Sequence, residues 1–316
     1  MIESGKEEDR FKIYGEEIKK REDFAYLGVV INRKGIDWNK HWKRLKKKSN
    51  KTMGLIRDFG CNSNGFNIRT CGKLYKMFIQ PIMEYGIALC HKKKDIEIPM
   101  KRYKEGMKTI FGVRTGVKAE VLGIWTNVNS PMMRQKKLGF RFYKRIERMS
   151  KEKYAVRKAY EKGERKGGRK SESCFYQFEK NEMILKYRKG RLVKGEKRKE
   201  REIWEEEERK RNEEVVKKYK GGYIFKGKNQ KEIEEFIKEV SKTEKKIERE
   251  IILWTLNKSA GKWKTCKKCG KEGIKEHMER CIYGEESIEE ELRKAKKKEE
   301  IERIGKKIQE IRKRIG

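Results

Sequence analysis

The chain has 316 residues, of which 43% are charged and 35% are hydrophobic, and its formal net charge is +37. So little apolar content excludes one large core and favours modest helical cores joined by solvated helices. The charge favours nucleic acid as the partner, because basic side chains that neutralise phosphates release condensed counterions. The start of the chain lacks a signal-like apolar segment, and no apolar run is long enough for a bilayer. We therefore expect an intracellular protein, nuclear or cytoplasmic, that is not secreted and has no membrane partner.

The first 35 residues carry no net charge and contain two candidate strands. Residues 11–14 alternate polar and apolar side chains, whereas residues 24–31 are almost wholly apolar, as expected of a buried strand. Gly15 and the charged stretch after it provide a turn. The sequence therefore predicts a short β-hairpin within residues 1–35.

Residues 36–150 hold about half of the basic excess, with a net charge of +19. They begin with a helix predicted over residues 37–59, for which Asp37 is the expected N-cap and Gly60 the expected C-cap. Apolar residues at helical spacing give this helix one buried face. The residues of that face are Trp38, Trp42, Leu45, Met53 and Ile56.

Basic side chains cover the other faces of this helix. A folded segment with unbalanced charge is a better binding candidate than a helix whose charges cancel. Its contacts would be directed at phosphates and would tolerate any base sequence. The alternative is a solvated helix face with no partner. The candidate nucleic-acid-binding residues are Lys43, Arg44, Lys46, Lys47 and Lys48.

Further helical segments complete this region. Pro81 lies inside the first of them and should kink the helix or start a new one. Ser130 is a cap followed by a proline at the first helical position. The segments lie at about residues 69–89, 99–111, 121–125 and 131–149. The apolar face of the first is formed by Leu74, Phe78, Ile82 and Tyr85. Helical spacing favours the core over base stacking for Trp38, Trp42, Tyr85, Tyr103 and Phe142.

Residues 151–250 are charged but closer to balance, with 33 basic and 22 acidic side chains. Helices are predicted over residues 198–219 and 230–256, and disorder over 161–173. This region is expected to be a charged helical linker. Residues 286–316 are expected to form a charged C-terminal helix whose sparse isoleucines do not sustain a heptad repeat.

Residues 251–285 concentrate the residue types that bind metals, in the pattern C-x2-C-x7-H-x3-C. Three thiolates and one imidazole complete a tetrahedral set for zinc and leave no open position, so the zinc would be structural. The metal would stiffen a basic surface that can also contact nucleic acid. The predicted zinc ligands are Cys266, Cys269, His277 and Cys281, and the neighbouring basic residues are Lys267, Lys268 and Lys271.

The other cysteines, histidines and aspartates are dispersed. Small buried positions are expected for Cys61, Cys71, Cys90 and Cys174, and surface positions for His41 and His91. Polymerases and many nucleases hold two divalent metals with carboxylates. The aspartates are Asp9, Asp23, Asp37, Asp58 and Asp95, and no two of them are adjacent. The sequence therefore predicts no catalytic residue.

Three stretches, in chain order, resemble the end of LINE-type (non-LTR retrotransposon) reverse transcriptases. Residues 24–29, Phe-Ala-Tyr-Leu-Gly-Val, look like the family's F-x-Y-L-G-V strand. Residues 74–86 are similar to its L-Y-K-x-x-I-x-P-x-x-E-Y-G helix. The cysteine and histidine pattern at residues 266–281 is similar to the C-terminal zinc knuckle that these proteins often carry.

The resemblance implies a role for each region. The N-terminal hairpin would end the palm, with Tyr26, Leu27 and Gly28 in a primer-grip-like position. Residues 36–150 would form the helical thumb that grips the template–primer duplex. In the family, two adjacent catalytic aspartates precede the Y-L-G strand, and no such pair occurs here. Mg²⁺ would therefore act only in the complete polymerase, and the missing palm and fingers portion would be a partner.

We thus expect a mainly α chain with a short N-terminal β-hairpin, a helical thumb-like bundle, charged helices and a small zinc knuckle. Its function would be that of a nucleic-acid-binding fragment of a reverse transcriptase, an RNA-directed DNA polymerase, with RNA, DNA or an RNA–DNA duplex as partner. The alternatives are an enzyme that acts in trans or is of unrecognised type, and a standalone zinc-knuckle adaptor derived from a mobile element. The predicted regions are 1–35, 36–150, 151–250, 251–285 and 286–316.

Overall fold

A computed structural model describes residues 12–17, 21–33, 35–62, 64–90, 93–113, 117–149, 184, 196–219, 224–256 and 287–315. The described chain is mainly helical, with a small three-stranded antiparallel sheet near the N-terminus. The predicted fold class is therefore confirmed. The predicted zinc knuckle and the predicted disordered stretch at 161–173 lie outside the described residues.

The N-terminal strands pair differently from the prediction. Strand β1 (Lys12–Ile13) pairs with β2 (Glu16–Glu17) and not with residues 24–31. The expected strand 24–31 is itself a hairpin, in which β3 (Asp23–Tyr26) pairs with β4 (Val29–Asn32) and β4 with β5 (Gly35–Ile36).

The turn of this hairpin explains the wrong prediction. Leu27 and Gly28 have φ angles of 44° and 81°, and positive φ at both central residues is the signature of the tight turn that joins twisted antiparallel strands. An apolar residue in the first position gave no sequence signal for a turn. Strand β3 is consequently largely exposed rather than buried.

Helix α1 (Trp38–Asp58) matches its prediction closely. The side chain of Asp37 accepts a hydrogen bond of 2.9 Å from the backbone N–H of Lys40, so the predicted N-cap is confirmed. Gly60 follows the helix with a φ of 116°, as expected of a glycine at a helix end. The buried face contains Trp42, Leu45, Met53 and Ile56.

The next helical segment is interrupted near Pro81, as predicted. Helix α2 (Ile68–Leu74) passes through a π-helical turn (Tyr75–Ile79) into α3 (Gln80–Glu84), whose first turn contains Pro81. The predicted apolar face is half right, since Leu74 and Ile82 are half-buried and pack against the core. The departure follows the π turn, which adds a residue and rotates the side chains after it. The buried residues are Tyr75, Ile79, Met83 and Ile87, while Phe78 and Tyr85 are exposed.

Three helices complete the bundle: α4 (Glu97–Phe111), α5 (Ala119–Thr126) and α6 (Pro131–Glu147). Ser130 caps α6 as predicted, by accepting a hydrogen bond from the N–H of Met133. Helices α2 and α5 approach so closely that a Cβ atom on Gly72 would lie 2.2 Å from the carbonyl oxygen of Thr126. The bundle therefore depends on glycine at this contact.

The C-terminal part contributes further helices to the same core. After α7 (Glu196–Lys218), the predicted helix 230–256 is two helices, α8 (Gln230–Val240) and α9 (Lys245–Thr255). The predicted final helix is also two, α10 (Ile288–Lys294) and α11 (Lys298–Ile315). Buried residues of α8 to α11 join those of α1 to α5 in one cluster. The packing therefore crosses the boundaries suggested at residues 150, 250 and 285, and the expectation that one large core is excluded is wrong.

One long-range contact shows how this packing is fixed. Glu248 of α9 is fully buried, and its Oε1 accepts a hydrogen bond of 2.8 Å from the N–H of Ile68 at the start of α2. A carboxylate is stabilised at this end of a helix. Lys245 forms an ion pair of 2.8 Å with the same carboxylate and donates a hydrogen bond to the carbonyl oxygen of Phe66.

None of the helices in the described ranges is both long enough and apolar enough for a membrane span.

Candidate nucleic-acid interface

The exposed side of α1 carries a stripe of basic residues. Their spacing of three and four residues brings them to one face, because an α-helix has about 3.6 residues per turn. We call this stripe the α1 basic face. Its members, all exposed, are Lys40, Lys43, Arg44, Lys47, Lys48 and Lys51. Of the predicted residues, Lys46 does not belong to this face, since it is half-buried and its Nζ lies 3.4 Å from Oε1 of Glu105.

The charge of the α1 basic face is largely unneutralised. Asp58 is the sole acidic residue between Trp38 and the end of the helix. Lys40 forms an ion pair of 2.5 Å with Asp23 of β3, and this hydrogen-bonded carboxylate raises the pKa of Lys40. No carboxylate within the described ranges lies within ion-pair distance of Lys43, Lys47, Lys48 or Lys51.

Buried polar contacts fix the orientation of α1. Arg102 of α4 is buried, and it donates hydrogen bonds to Ser49 of α1, at 2.7 Å to the hydroxyl and 3.2 Å to the carbonyl oxygen. The indole N–H of Trp42 donates to the carbonyl oxygen of Asp95 at 2.5 Å. These contacts lie on the side of α1 opposite the basic residues, so they hold the basic face towards solvent.

The hairpin turn borders this face. Tyr26 and Leu27 are 59% and 74% exposed. Arg44 donates a hydrogen bond to the carbonyl oxygen of Gly28, and the Tyr85 hydroxyl donates to that of Leu27. The predicted Tyr26, Leu27 and Gly28 thus lie beside the predicted basic residues.

Gly28 is required by this contact. Its φ of 81° suits glycine, and a Cβ atom there would lie 3.1 Å from Cε1 of Tyr85. The turn therefore rests directly on the ring of Tyr85. Residues 24–29 and residues 74–86, two of the three stretches that carry the family resemblance, meet at this point.

His41 corrects an expectation, since it is fully buried rather than at the surface. Its Nε2 donates a hydrogen bond of 2.9 Å to the carbonyl oxygen of Tyr85, and it packs edge-on against Trp42 with ring centroids 4.7 Å apart. Burial lowers the pKa of His41. This histidine therefore helps to fix the position of Tyr85.

The aromatic residues divide between core and surface. Trp42 and Tyr103 are buried, as predicted, at 1% and 2% exposure, and Trp38 and Phe142 are half-buried. Tyr85 is 48% exposed, so its predicted core position is wrong. The face of residues 74–85 that was expected to be buried is therefore partly available at the surface beside the hairpin.

Sequence reasoning missed three members of this surface: Lys40, Lys51 and Tyr85. The two lysines had a detectable signal, since positions 40, 44, 48 and 43, 47, 51 continue the basic stripe at a spacing of four residues. Tyr85 had none, because its exposure depends on the π turn upstream.

The remaining candidate groups have structural positions or lie outside the described residues. Asp23 pairs with Lys40, Asp37 caps α1 and Asp58 pairs with Arg57 at 3.2 Å. No three cysteine, histidine or acidic side chains within the described ranges are grouped closely enough to hold a metal ion. Cys61, Cys71 and Cys90 are buried, as predicted. The residues outside the described ranges are Asp9, His91, Cys174, Cys266, Lys267, Lys268, Cys269, Lys271, His277 and Cys281.

Comparisons of the chain with protein-family models, with curated proteins and with solved structures found no match in any of the three sets.

Proposed function

We propose that this chain is a nucleic-acid-binding portion of a LINE-type reverse transcriptase, and that it grips a template–primer duplex through the α1 basic face. The observation that carries the proposal is a rigidly seated row of exposed cations with little acidic charge beside it. The duplex would be an RNA–DNA hybrid or another double helix. The protein would act inside the cell, in the nucleus or the cytoplasm.

The dimensions of the face suit a nucleic-acid backbone. Residues 40 and 51 are separated by about 17 Å along the helix axis at about 1.5 Å per residue. A duplex strand has one phosphate per roughly 3.4 Å of axis, so about five phosphates per strand lie within that distance. The α1 basic face presents six cations over the same length. Such contacts position a duplex without reading its bases.

The hairpin turn gives this surface a second element. Exposed Tyr26 and Leu27 present apolar area at the end of the cationic row, where a sugar or the terminal base pair of a primer could pack. The contact between Leu27, Gly28 and Tyr85 supports the family resemblance, because residues distant in sequence and similar to two family motifs form one surface.

Gripping, rather than chemistry, is the activity proposed. The chain contains no adjacent aspartates, so polymerisation would need the palm of a complete polymerase and its Mg²⁺. The cysteine and histidine pattern at residues 266–281 supports a structural zinc that holds a second basic surface together.

Two neighbouring lysines provide a matched test. Lys47 is exposed on the α1 basic face, whereas Lys46 is half-buried and pairs with Glu105. The variants Lys47→Gln and Lys46→Gln remove the same charge from the same helix. Binding of a fluorescent RNA–DNA duplex should weaken for Lys47→Gln. The slope of log affinity against log salt concentration should become shallower by about one, the value for one lost phosphate contact.

Lys46→Gln should retain both the affinity and the salt dependence of the unmodified chain. Equal weakening by the two variants would mean that net charge alone drives binding, and would contradict the proposed face. Affinity for the duplex that does not change with salt would contradict phosphate contacts altogether.

A further inference from the structure

A cavity of about 660 Å³ lies away from the α1 basic face, between the C-terminal half of α7 and residues 225–229, which precede α8. Its size falls within the roughly 300–1,000 Å³ of sites for small ligands. No residue of α1 lines it. A ligand bound there would therefore be separate from the proposed duplex grip.

The floor of the cavity is apolar and firmly anchored. Phe225 and Ile233 are each 2% exposed and belong to the main core. The ring of Trp125 packs edge-on against Phe225, with centroids 5.3 Å apart. Tyr219 is half-buried at the end of α7 and adds a second aromatic ring. Such a floor suits a flat apolar group.

The rim of the cavity is cationic. Its exposed basic residues are Arg209, Lys217, Lys218 and Lys226, and Glu213 is the one acidic residue in the lining. No carboxylate within the described ranges is in ion-pair distance of Arg209, Lys217 or Lys226. Lys228 has a structural role, since its Nζ donates a hydrogen bond of 2.8 Å to the carbonyl oxygen of Arg293. The rim therefore suits an anion that is joined to the flat group.

From this pairing of an aromatic floor with a cationic rim, we infer that the cavity binds an unpaired nucleobase of a single-stranded nucleic acid. The base would pack against the ring of Tyr219, above the buried floor that contains Phe225, while the flanking phosphates contact Lys217 and Lys226. An acidic peptide would satisfy the rim but would leave the apolar floor uncovered. Base stacking on aromatic side chains tolerates any base.

Two variants of the full chain test the inference with single-stranded oligouridine as the probe. Tyr219→Leu keeps an apolar side chain but removes the ring, and should weaken single-strand binding about tenfold. Lys217→Glu with Lys226→Glu reverses two exposed rim charges and should weaken it at least as much. Both variants should leave RNA–DNA duplex affinity unchanged, because the cavity lies outside the α1 basic face. A 4-thiouridine strand should crosslink to the peptide that contains Tyr219.

The matched control is Lys231→Glu with Lys238→Glu, which makes the same charge change on exposed residues of α8 that do not line the cavity. Tyr219→Phe retains the ring and should bind normally, which separates loss of stacking from loss of folding. Unchanged single-strand affinity in the cavity variants would overturn the inference. Equal loss of single-strand and duplex binding, or stronger binding of an oligoglutamate peptide than of the oligonucleotide, would overturn it as well. Because duplex binding is measured in parallel, failure of this site is distinguishable from failure of the duplex grip.

Discussion

Helices α1 and α7 are both long and highly charged, yet their charges are arranged differently. Helix α1 has 21 residues with eight basic and one acidic side chain, a net charge of +7. Helix α7 has 23 residues with nine basic and nine acidic side chains, a net charge of zero. Salt bridges within α7, such as that of 2.9 Å between Lys210 and Glu206, neutralise its charge locally.

The charges of α7 also serve internal contacts. Arg211 donates a hydrogen bond of 2.5 Å to the side chain of Asn129, which in turn donates to Glu208 at 2.8 Å. Nζ of Lys137 lies 4.1 Å from the ring centroid of Trp204. The number of charged residues therefore does not identify a binding helix. What distinguishes α1 is that four cations of its exposed face, Lys43, Lys47, Lys48 and Lys51, have no carboxylate partner within the described ranges.

Charge reversal should give the largest effect, a difference in the loss of duplex affinity between variants of the two helices. The variant Lys43→Glu with Lys47→Glu should weaken duplex binding on the order of 100-fold at low salt, because it removes two phosphate contacts and adds repulsion. Reversal of exposed lysines on α7 and α8, Lys210→Glu with Lys238→Glu, makes the same change in net charge. It should alter affinity much less in the same fluorescence titration. Similar losses in the two variants would remove the distinction between α1 and α7.

The contacts that anchor α1 and α7 should contribute unequally to the free energy of unfolding. Arg102→Met removes the buried hydrogen bonds that seat α1 on α4, and should lower the free energy of unfolding by about 2 kcal/mol. Arg211→Met removes a half-buried contact of α7 and should cost about 1 kcal/mol. Urea denaturation followed by circular dichroism measures both. A larger cost for Arg211→Met would mean that α7, not α1, is the more firmly held helix.

A smaller loss of stability should appear when the pH is lowered. Burial holds the pKa of His41 on α1 below that of a histidine in the unfolded chain, near 6.5. As the pH falls, His41 is therefore protonated at a higher pH in the unfolded chain than in the folded chain. The contribution of neutral His41 to the free energy of unfolding is complete above about pH 6.5, and it is lost as the pH falls from that value towards the folded-state pKa.

Thermal unfolding between neutral pH and pH 5 measures this loss. His41→Gln keeps a side-chain N–H for the carbonyl oxygen of Tyr85 but does not titrate, so its stability should vary less over this range. His91→Gln is the matched control and should behave like the unmodified chain. If His41→Gln leaves the pH dependence unchanged, His41 is not the group that titrates.

The smallest effect on duplex binding is expected from loss of zinc. We predict that elemental analysis finds zinc in the purified chain and that Cys266→Ser abolishes it, because the predicted tetrahedral set loses a thiolate. Duplex affinity should change little, since the α1 basic face contains none of these residues. Loss of duplex binding together with the zinc would favour the standalone zinc-knuckle adaptor over the duplex grip.

Local signals made α1 predictable from the sequence. Asp37, Gly60 and the apolar spacing between them lie within one segment, and each acts on neighbouring residues. The interruption at Pro81 was predictable for the same reason, because a proline limits its own helix. Four of the five basic residues assigned to α1 lie on its exposed face, and Lys46 departs because a partner from α4 holds it.

Features that depend on distant residues were not predictable. The turn at Leu27 is stabilised by Tyr85, 58 positions further along the chain. The buried His41 likewise contacts Tyr85, by a hydrogen bond to its carbonyl oxygen. The hydrogen bond from the N–H of Ile68, at the start of α2, to Glu248 joins residues 180 positions apart. A sequence pattern records which side chains are present nearby, but not which distant element covers them.

The position of the duplex grip can be tested by lysine acetylation footprinting of the full chain, with and without an RNA–DNA duplex. We expect the duplex to protect Lys43, Lys47 and Lys48 from acetylation several-fold, while Lys210 of α7 reacts at the same rate in both conditions. Equal protection of lysines on α1 and α7, or protection that spares α1, would contradict the assignment of the duplex grip to the α1 basic face.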